Sequence, residues 1–253
     1  DKSGVLDASG NPGTSTTDSA VYSIDTHRPT AVISLSDTAL KIGDTATVTL
    51  TFSEAVSGLT AADLTAANGS LGSFSTADGG VTWTGTLTPS SNIEESSNVI
   101  TLDNTGVVDA FGNTGSGTTD SGNYVVDTKR PTAIISLSDT ALKIGETSQV
   151  TFTFSEAVSG FTTGDVTVAN GKLSSLSSKD GGVTWTGTLT PSLNIEDATN
   201  VITVDNTGIS DLAGNIGSGS TDSPNYVIDT KQPTVIISMD DNKLATGVIN
   251  KVT

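Results

Sequence analysis

The chain repeats itself at a fixed interval, and no other feature limits its fold so sharply. Asp25-Thr26-His27-Arg28-Pro29-Thr30 returns as Asp127-Thr128-Lys129-Arg130-Pro131-Thr132. It returns again as Asp229-Thr230-Lys231-Gln232-Pro233-Thr234, at an interval of 102 both times. An interval near 100 is too long for a solenoid and is the size of an independently folding domain. Two complete repeats therefore run 25–126 and 127–228. Residues 1–24 match the tail of a repeat, since Gly4-Val5-Leu6-Asp7-Ala8-Ser9-Gly10-Asn11 aligns with 106–113 and 208–215. Residues 229–253 match the start of one. The chain reads as two whole domains flanked by a fragment of a preceding and a fragment of a following repeat, cut from a longer array.

Each repeat is patterned for strands. In 46–52, Ala46, Val48, Leu50 and Phe52 alternate with Thr47, Thr49 and Thr51, and the copy keeps Val150, Phe152 and Phe154. In 81–88, Val81, Trp83 and Leu87 alternate with threonines. This period of two marks half-buried strands, and β-branched threonine suits their wet face. Further strands are expected over 31–36, 63–67, 71–76, 99–103 and 121–127, separated by Asn-Gly, Asp-Gly-Gly and Gly-Asn punctuation. No stretch has a helical period. Seven short strands in about 100 residues give an all-β, two-sheet antiparallel sandwich in preference to a barrel.

Composition removes several functions. There is no cysteine, which excludes disulfides, zinc-thiolate sites and a cysteine nucleophile. His27 is the single histidine, too few for a multi-histidine metal site. Eleven basic against 28 acidic residues give a net charge of −17, which argues against nucleic acid and anionic membrane as partners. No apolar run approaches the roughly 20 residues of a membrane-inserted span. No signal peptide is visible at Asp1-Lys2-Ser3, as expected of a mature segment, of one exported by a C-terminal signal, or of one excised from a longer chain.

The acids are placed unevenly. Walking up and down through a sandwich brings the incoming linker and the loops after the second and sixth strands to one end. Asp25 lies in that linker, Glu54 and Asp63 open and close one loop, and Asp109 lies in the other. The second repeat has Asp127, Glu156, Asp165 and Asp211 at the same places, and Asp229 begins the next linker. Like charges gathered at one pole repel unless a cation joins them. Arg28 and Arg130 supply one charge each against four carboxylates. Ca²⁺ suits the set, because it takes about 6–8 oxygen ligands in adaptable geometry, whereas zinc wants nitrogen or sulfur. The alternative is a solvated acidic pole, with aspartates at ordinary turn positions. Asp37, Asp44, Glu94 and Glu95 fall at the opposite end of the first repeat, from where they could reach the next junction, but a surface role is favoured for them.

Phe-Ser-Glu-Ala-Val-Ser-Gly, the following Asp63 or Asp165, Asp-x-x-Gly-Asn and Asp-Thr-x-x-Pro-Thr together resemble bacterial Ig-like repeats. The resemblance is to the extender repeats of giant repeats-in-toxin adhesins exported by type I secretion. It implies tandem Ig-like sandwiches in a linear, monomeric rod whose partners are neighbouring repeats of the same chain. It also implies an extracellular place on the bacterial cell surface, in adhesion and biofilm formation. Calcium at the junctions would stiffen the array. The implied ligands are Asp25, Asp127 and Asp229, Glu54 and Glu156, Asp63 and Asp165, and Asp109 and Asp211. Asp229 lacks loops of its own repeat here, so a third complete site is not expected.

Two rivals remain. A glycan- or ligand-binding module would present exposed aromatics, but aromatic residues make up 4% of the chain, and Trp83 and Trp185 lie on the apolar side of an alternating strand. An enzyme would use Glu54 and Asp63 as paired carboxylates. An identical pair 102 residues later, without aromatic subsites, suits a repeated structural site better, and no enzymatic activity is expected.

Overall fold

The computed structural model describes residues 1–238, so most of the stretch expected to begin a third repeat lies outside the described residues. The chain is all-β, with two tandem Ig-like sandwiches of about 102 residues. The first repeat contains β1 (Ala31–Leu35), β2 (Ala39–Leu40), β3 (Ala46–Phe52), β4 (Val56–Ser57), β5 (Leu64–Ala66), β6 (Gly69–Leu71), β7 (Ser75–Thr76), β8 (Thr82–Pro89), β9 (Glu94–Asn98), β10 (Ile100–Asp103), β11 (Val108–Asp109), β12 (Thr118–Asp120) and β13 (Tyr124–Asp127). The second contains β14 (Ala133–Leu137), β15 (Ala141–Lys143), β16 (Ser148–Phe154), β17 (Val158–Ser159), β18 (Val166–Val168), β19 (Gly171–Leu173), β20 (Ser177–Ser178), β21 (Thr184–Pro191), β22 (Glu196–Asn200), β23 (Ile202–Asp205), β24 (Ser210–Asp211), β25 (Ser220–Asp222) and β26 (Tyr226–Asp229).

Packing divides the chain into two compact units. Among the described residues the first comprises 1–38, 45–88 and 98–123, and the second comprises 39–44, 89–97 and 124–238. In the first, the sheet β1-β3-β8-β6 carries β7 on β8, beside the ladders β12-β10-β5 and β11-β4. The second holds β2-β13-β9 and a full set of equivalents, β14-β16-β21-β19 with β20 on β21, β18-β23-β25, β17-β24 and β15-β26-β22.

The alternating segment at 148–154 is β16, with burial alternating along its length. Val150, Phe152 and Phe154 point into a core with Leu142, Leu189, Ile202, Val204, Tyr226 and Ile228. Phe161, in the loop after β17, is the hub of its aromatic part. It meets Phe152 at 5.2 Å, Phe154 at 5.1 Å and Trp185 at 5.7 Å between ring centroids, all edge-to-face. On the other face, threonines form cross-strand pairs. Register sets Thr47, Thr49 and Thr51 of β3 opposite Thr86, Thr84 and Thr82 of β8. Such pairs each contribute a few tenths of a kcal/mol to about 1 kcal/mol.

Three differences from the expected strand plan have local causes. Residues 63–67 begin as a 3-10 turn, Ala61–Asp63, before β5. The run 71–76 divides into β6 and β7. β9 is a strand that the sequence concealed, since Glu94-Glu95-Ser96-Ser97 has no apolar alternation. The sandwich is also not wholly antiparallel. β2 runs parallel to β13 and β15 parallel to β26, pairs from opposite ends of a repeat whose direction no hairpin constrains.

The turn after β7 is built by one carboxylate. Asp78 Oδ1 accepts from the Thr82 amide at 2.9 Å, the Val81 amide at 3.2 Å and the Thr76 hydroxyl at 2.9 Å. Gly80 then takes φ +103°, where an added Cβ would stand 2.3 Å from the Val56 carbonyl oxygen. Hydrogen bonds from Thr82, then Thr76, hold the Asp78 carboxyl down at about 2 against an ordinary 3.8, and Asp180 is held at about 2 mainly by Thr184. A depressed acid contributes stability that is present above its unfolded value and is lost as pH falls through its folded one. Melting temperature should therefore fall between pH 4 and pH 2. The Asp78→Asn, Asp180→Asn chain should show a flatter acid limb in a thermal scan, and an unchanged limb would contradict this role.

Candidate metal centre

The sequence Asp-x-x-Gly-Asn folds into the same loop three times. Asp109 Oδ1 accepts from the amides of Phe111 and Asn113 at 2.8 Å each, and its Oδ2 accepts from Asn113 Nδ2 at 2.8 Å. Asp211 is held by the amides of Gly214 and Asn215 at 2.7 and 2.8 Å and by Asn215 Nδ2 at 2.8 Å. At Asp7 the partners are Ser9, Asn11 and Asn11 Nδ2, each at 2.9 Å, although every residue of that loop is exposed. The loop is thus a local structure, closed by Asx hydrogen bonds and by glycines at φ +83°, +90° and +93°.

In each repeat this loop presents its aspartate to two other acids. Asp25, Glu54 and Asp109 each bring one carboxylate oxygen within 4.8 Å of the others, and so do Asp127, Glu156 and Asp211. Both sets combine a linker aspartate, a glutamate that follows β3 or β16, and a buried loop aspartate, with 5% exposure for Asp109 and 2% for Asp211. The linker aspartate is itself tied to the loop, as Asn113 Nδ2 donates to the Asp25 carbonyl at 3.2 Å and Asn215 Nδ2 to the Asp127 carbonyl at 2.9 Å. Two oxygens on one calcium-sized ion, each at about 2.3–2.6 Å, can stand at most about 5 Å apart. Both sets meet that condition.

Electrostatic strain marks the same residues. Partial burial, then Asp109 and Asp25, push the Glu54 carboxyl up from its ordinary value. Partial burial, then Asp211, Asp127 and Glu94, push Glu156 up. Asp127 is raised by burial and by Asp211 and Glu94, against the Lys129 amide. Asp109 goes the other way: burial raises it, but the bonds from Asn113, Phe111 and Gly112 outweigh burial and lower it. In the first repeat the loop therefore favours the ionised form of Asp109, and Glu54 is crowded against it.

The nearby basic residues leave much of that charge standing. Arg28 Nη1 donates to the Thr114 carbonyl at 2.6 Å, and Arg130 Nη1 to the Ile216 carbonyl, so both arginines bind backbone and not the acids. Lys129 pairs with Glu94 at 3.0 Å, and exposed His27 stands 3.5 Å from Asp25. Glu94, for which a surface role was favoured, acts electrostatically on Asp127 and Glu156 and belongs to the surroundings of the second set.

Asp63 and Asp165 stand outside both groups of three. Asp63 Oδ2 accepts from the Thr60 amide at 2.7 Å and the Thr60 hydroxyl at 2.8 Å, capping the 3-10 turn, and Asp165 does the same for Thr162. Asp229 is exposed and accepts from the Lys231 amide at 3.2 Å. Asn113 and Asn215 are the residues that sequence reasoning passed over. The signal was present in the threefold Asp-x-x-Gly-Asn, but its asparagine read as turn punctuation. The tryptophans are half-buried, and their indole nitrogens donate to the Gly80 and Gly182 carbonyls at 3.0 Å.

Among the described residues no helix is long and apolar enough to cross a membrane. No curated protein matches the chain significantly. Among solved structures, the Escherichia coli adhesin FdeC is 14% identical, with 88% of this chain and 71% of that one covered and a TM-score of 0.34. The Yersinia pseudotuberculosis adhesin InvE is 13% identical, with 80% and 59% covered and a TM-score of 0.29. The profile of the bacterial Ig-like domain matches residues 25–126 and again 127–228, most of the chain. The chain therefore belongs to the bacterial Ig-like domain family.

Proposed function

We propose that the chain is an extender segment of a large bacterial surface adhesin, non-enzymatic and extracellular. In this reading, Ca²⁺ held by the carboxylate groups stiffens the joints between consecutive repeats. The array is a monomeric rod whose partners are its own neighbouring repeats, and it holds a distal adhesive domain away from the cell for adhesion and biofilm formation. The observation that carries this is the composition of each acidic set: one aspartate from the linker and two acids from the domain that follows. An ion drawn to all three ties linker to domain. The donors are all oxygen, which favours calcium over zinc. When bound, the ion would supply positive charge that relieves the crowding of Glu54 and Glu156. The chain's own part is to pre-order the loop aspartate through Asn113 or Asn215 and to hold the linker carbonyl against it.

Calorimetric titration with CaCl₂ should give two ions per chain, and Glu156→Gln, which keeps shape and removes charge, should leave one. Small-angle scattering should record a shorter maximum dimension after chelation. Equal dimensions with and without chelator would remove the stiffening role, and an unchanged stoichiometry in Glu156→Gln would remove that residue from the site.

A further inference from the structure

Asn215 serves two masters. It is 2% exposed. Its Nδ2 donates to Asp211 Oδ2 at 2.8 Å and to the Asp127 carbonyl at 2.9 Å, with Asp127 Oδ1 at 3.3 Å. Its Oδ1 accepts from the backbone amide of Ile42 at 2.8 Å. Ile42 belongs by sequence to the first repeat, but its segment, 39–44, packs in the second compact unit. There it lies in a tight turn in which the Asp44 amide donates to the Lys41 carbonyl at 3.1 Å and Gly43 has φ +88°, the pattern of a type II turn with Ile42 at its second position. Lys41 Nζ also stands 3.1 Å from where a Cβ on Gly214 would project, whereas a Cβ on the equivalent Gly112 would meet nothing within 4 Å.

We propose that Asn215 couples the acidic site of one repeat to the docking of the turn at 41–44 of the repeat before it. The amide is planar, so its two ends are set together. Reversing it would turn the NH₂ toward the Ile42 N–H and the oxygen toward the Asp211 carboxylate, which opposes like dipoles on both sides. Ordering the carboxylates therefore fixes the oxygen that receives Ile42, and docking of Ile42 fixes the NH₂ that orders the carboxylates. Linkage requires the two effects to be equal in size. Asn215 and Ile42 are thus positioning residues for the ion site without being ligands. The proposal rests on the calcium reading above.

The test uses the whole chain with CaCl₂ as the ligand, in a Glu54→Gln background that leaves the second site alone. Calcium should slow hydrogen exchange at the Ile42 amide about fivefold or more, and Asn215→Ala should abolish that dependence. Ile42→Pro removes the N–H donor while keeping the turn, since proline is favoured at the second position of a type II turn, and should weaken calcium binding about fivefold or more, whereas Ile42→Ala, which trims the half-buried side chain and keeps the N–H, should not. Asn113→Ala, made at the first site, should leave Ile42 exchange as it was. Equal calcium affinity with and without Ile42→Pro, or Ile42 exchange indifferent to calcium, overturns the coupling. A chain that takes up no calcium before either substitution overturns the calcium reading instead.

Discussion

Replacing Phe161 by alanine should destabilise the second repeat by about 3–5 kcal/mol, a large share of the roughly 5–15 kcal/mol that holds a domain folded. Phe161 is 3% exposed and touches three other rings edge-to-face, so truncation removes a buried side chain and leaves a cavity that β16 and β21 cannot close without leaving their ladder. The loss should lower the melting temperature by at least about 12 °C for a domain of this size. Phe161→Leu copies the residue that the first repeat carries at the same place, Leu59, which is 6% exposed. It should cost less, mainly the ring–ring contacts at about 0.5–1.5 kcal/mol each. In a Trp83→Phe background the remaining indole, Trp185, reports on this core alone, and urea unfolding followed by its fluorescence makes the measurement. A Phe161→Leu midpoint equal to that of the parent would mean that the rings do not act as a cluster, and a shift in Phe161→Ala no larger than in Phe161→Leu would mean that truncation opens no cavity.

Much of this fold could be read because its signals are local or periodic. The interval of 102 marks the stretches 25–126 and 127–228 that the family profile also matches. The alternation of 46–52 became β3 residue for residue, because a strand with one wet and one dry face writes that period directly. What escaped was non-local. Nothing in Ala39-Leu40 announces a parallel partner at Val125 and Val126. Nothing in a polar Glu-Glu-Ser-Ser run announces β9. At the acidic pole, linker and loop positions were enough to gather Asp25, Glu54 and Asp109. Position could not say where a side chain points, and Asp63 spends its carboxylate on Thr60, a Thr-x-x-Asp capping pattern that was visible in the sequence. The couplings through Asn215 and Glu94 cross between repeats, and they became legible only once the turn at 41–44 and β9 were found in the same compact unit as the second linker.

Calcium should reverse the sign of the pH dependence of stability near neutrality. Without metal, Glu54, Asp127 and Glu156 have folded values above their ordinary ones, set first by burial and then by neighbouring carboxylates. An acid raised in this way binds its proton more tightly folded than unfolded. The native state then gains stability as pH falls from neutral through the folded value, and the gain is complete below the unfolded one. Metal-free protein should therefore melt at a higher temperature at pH 5 than at pH 7. The depressed Asp78 and Asp180 do not interfere, because their contribution is lost only from about pH 4 down to about 2. Bound calcium requires the carboxylates deprotonated and so competes with protons. At a hundredfold excess over its dissociation constant, the ion adds about 2.7 kcal/mol per site, or roughly 10–20 °C for a domain of this size. That increment should be full at pH 7 and shrink at pH 5, so the calcium-loaded curve slopes opposite to the metal-free one and the two converge on acidification. Glu54→Gln, Glu156→Gln should flatten both curves by removing the most crowded charge from each set. Parallel curves, with an increment independent of pH, would mean that calcium acts elsewhere than at these carboxylates.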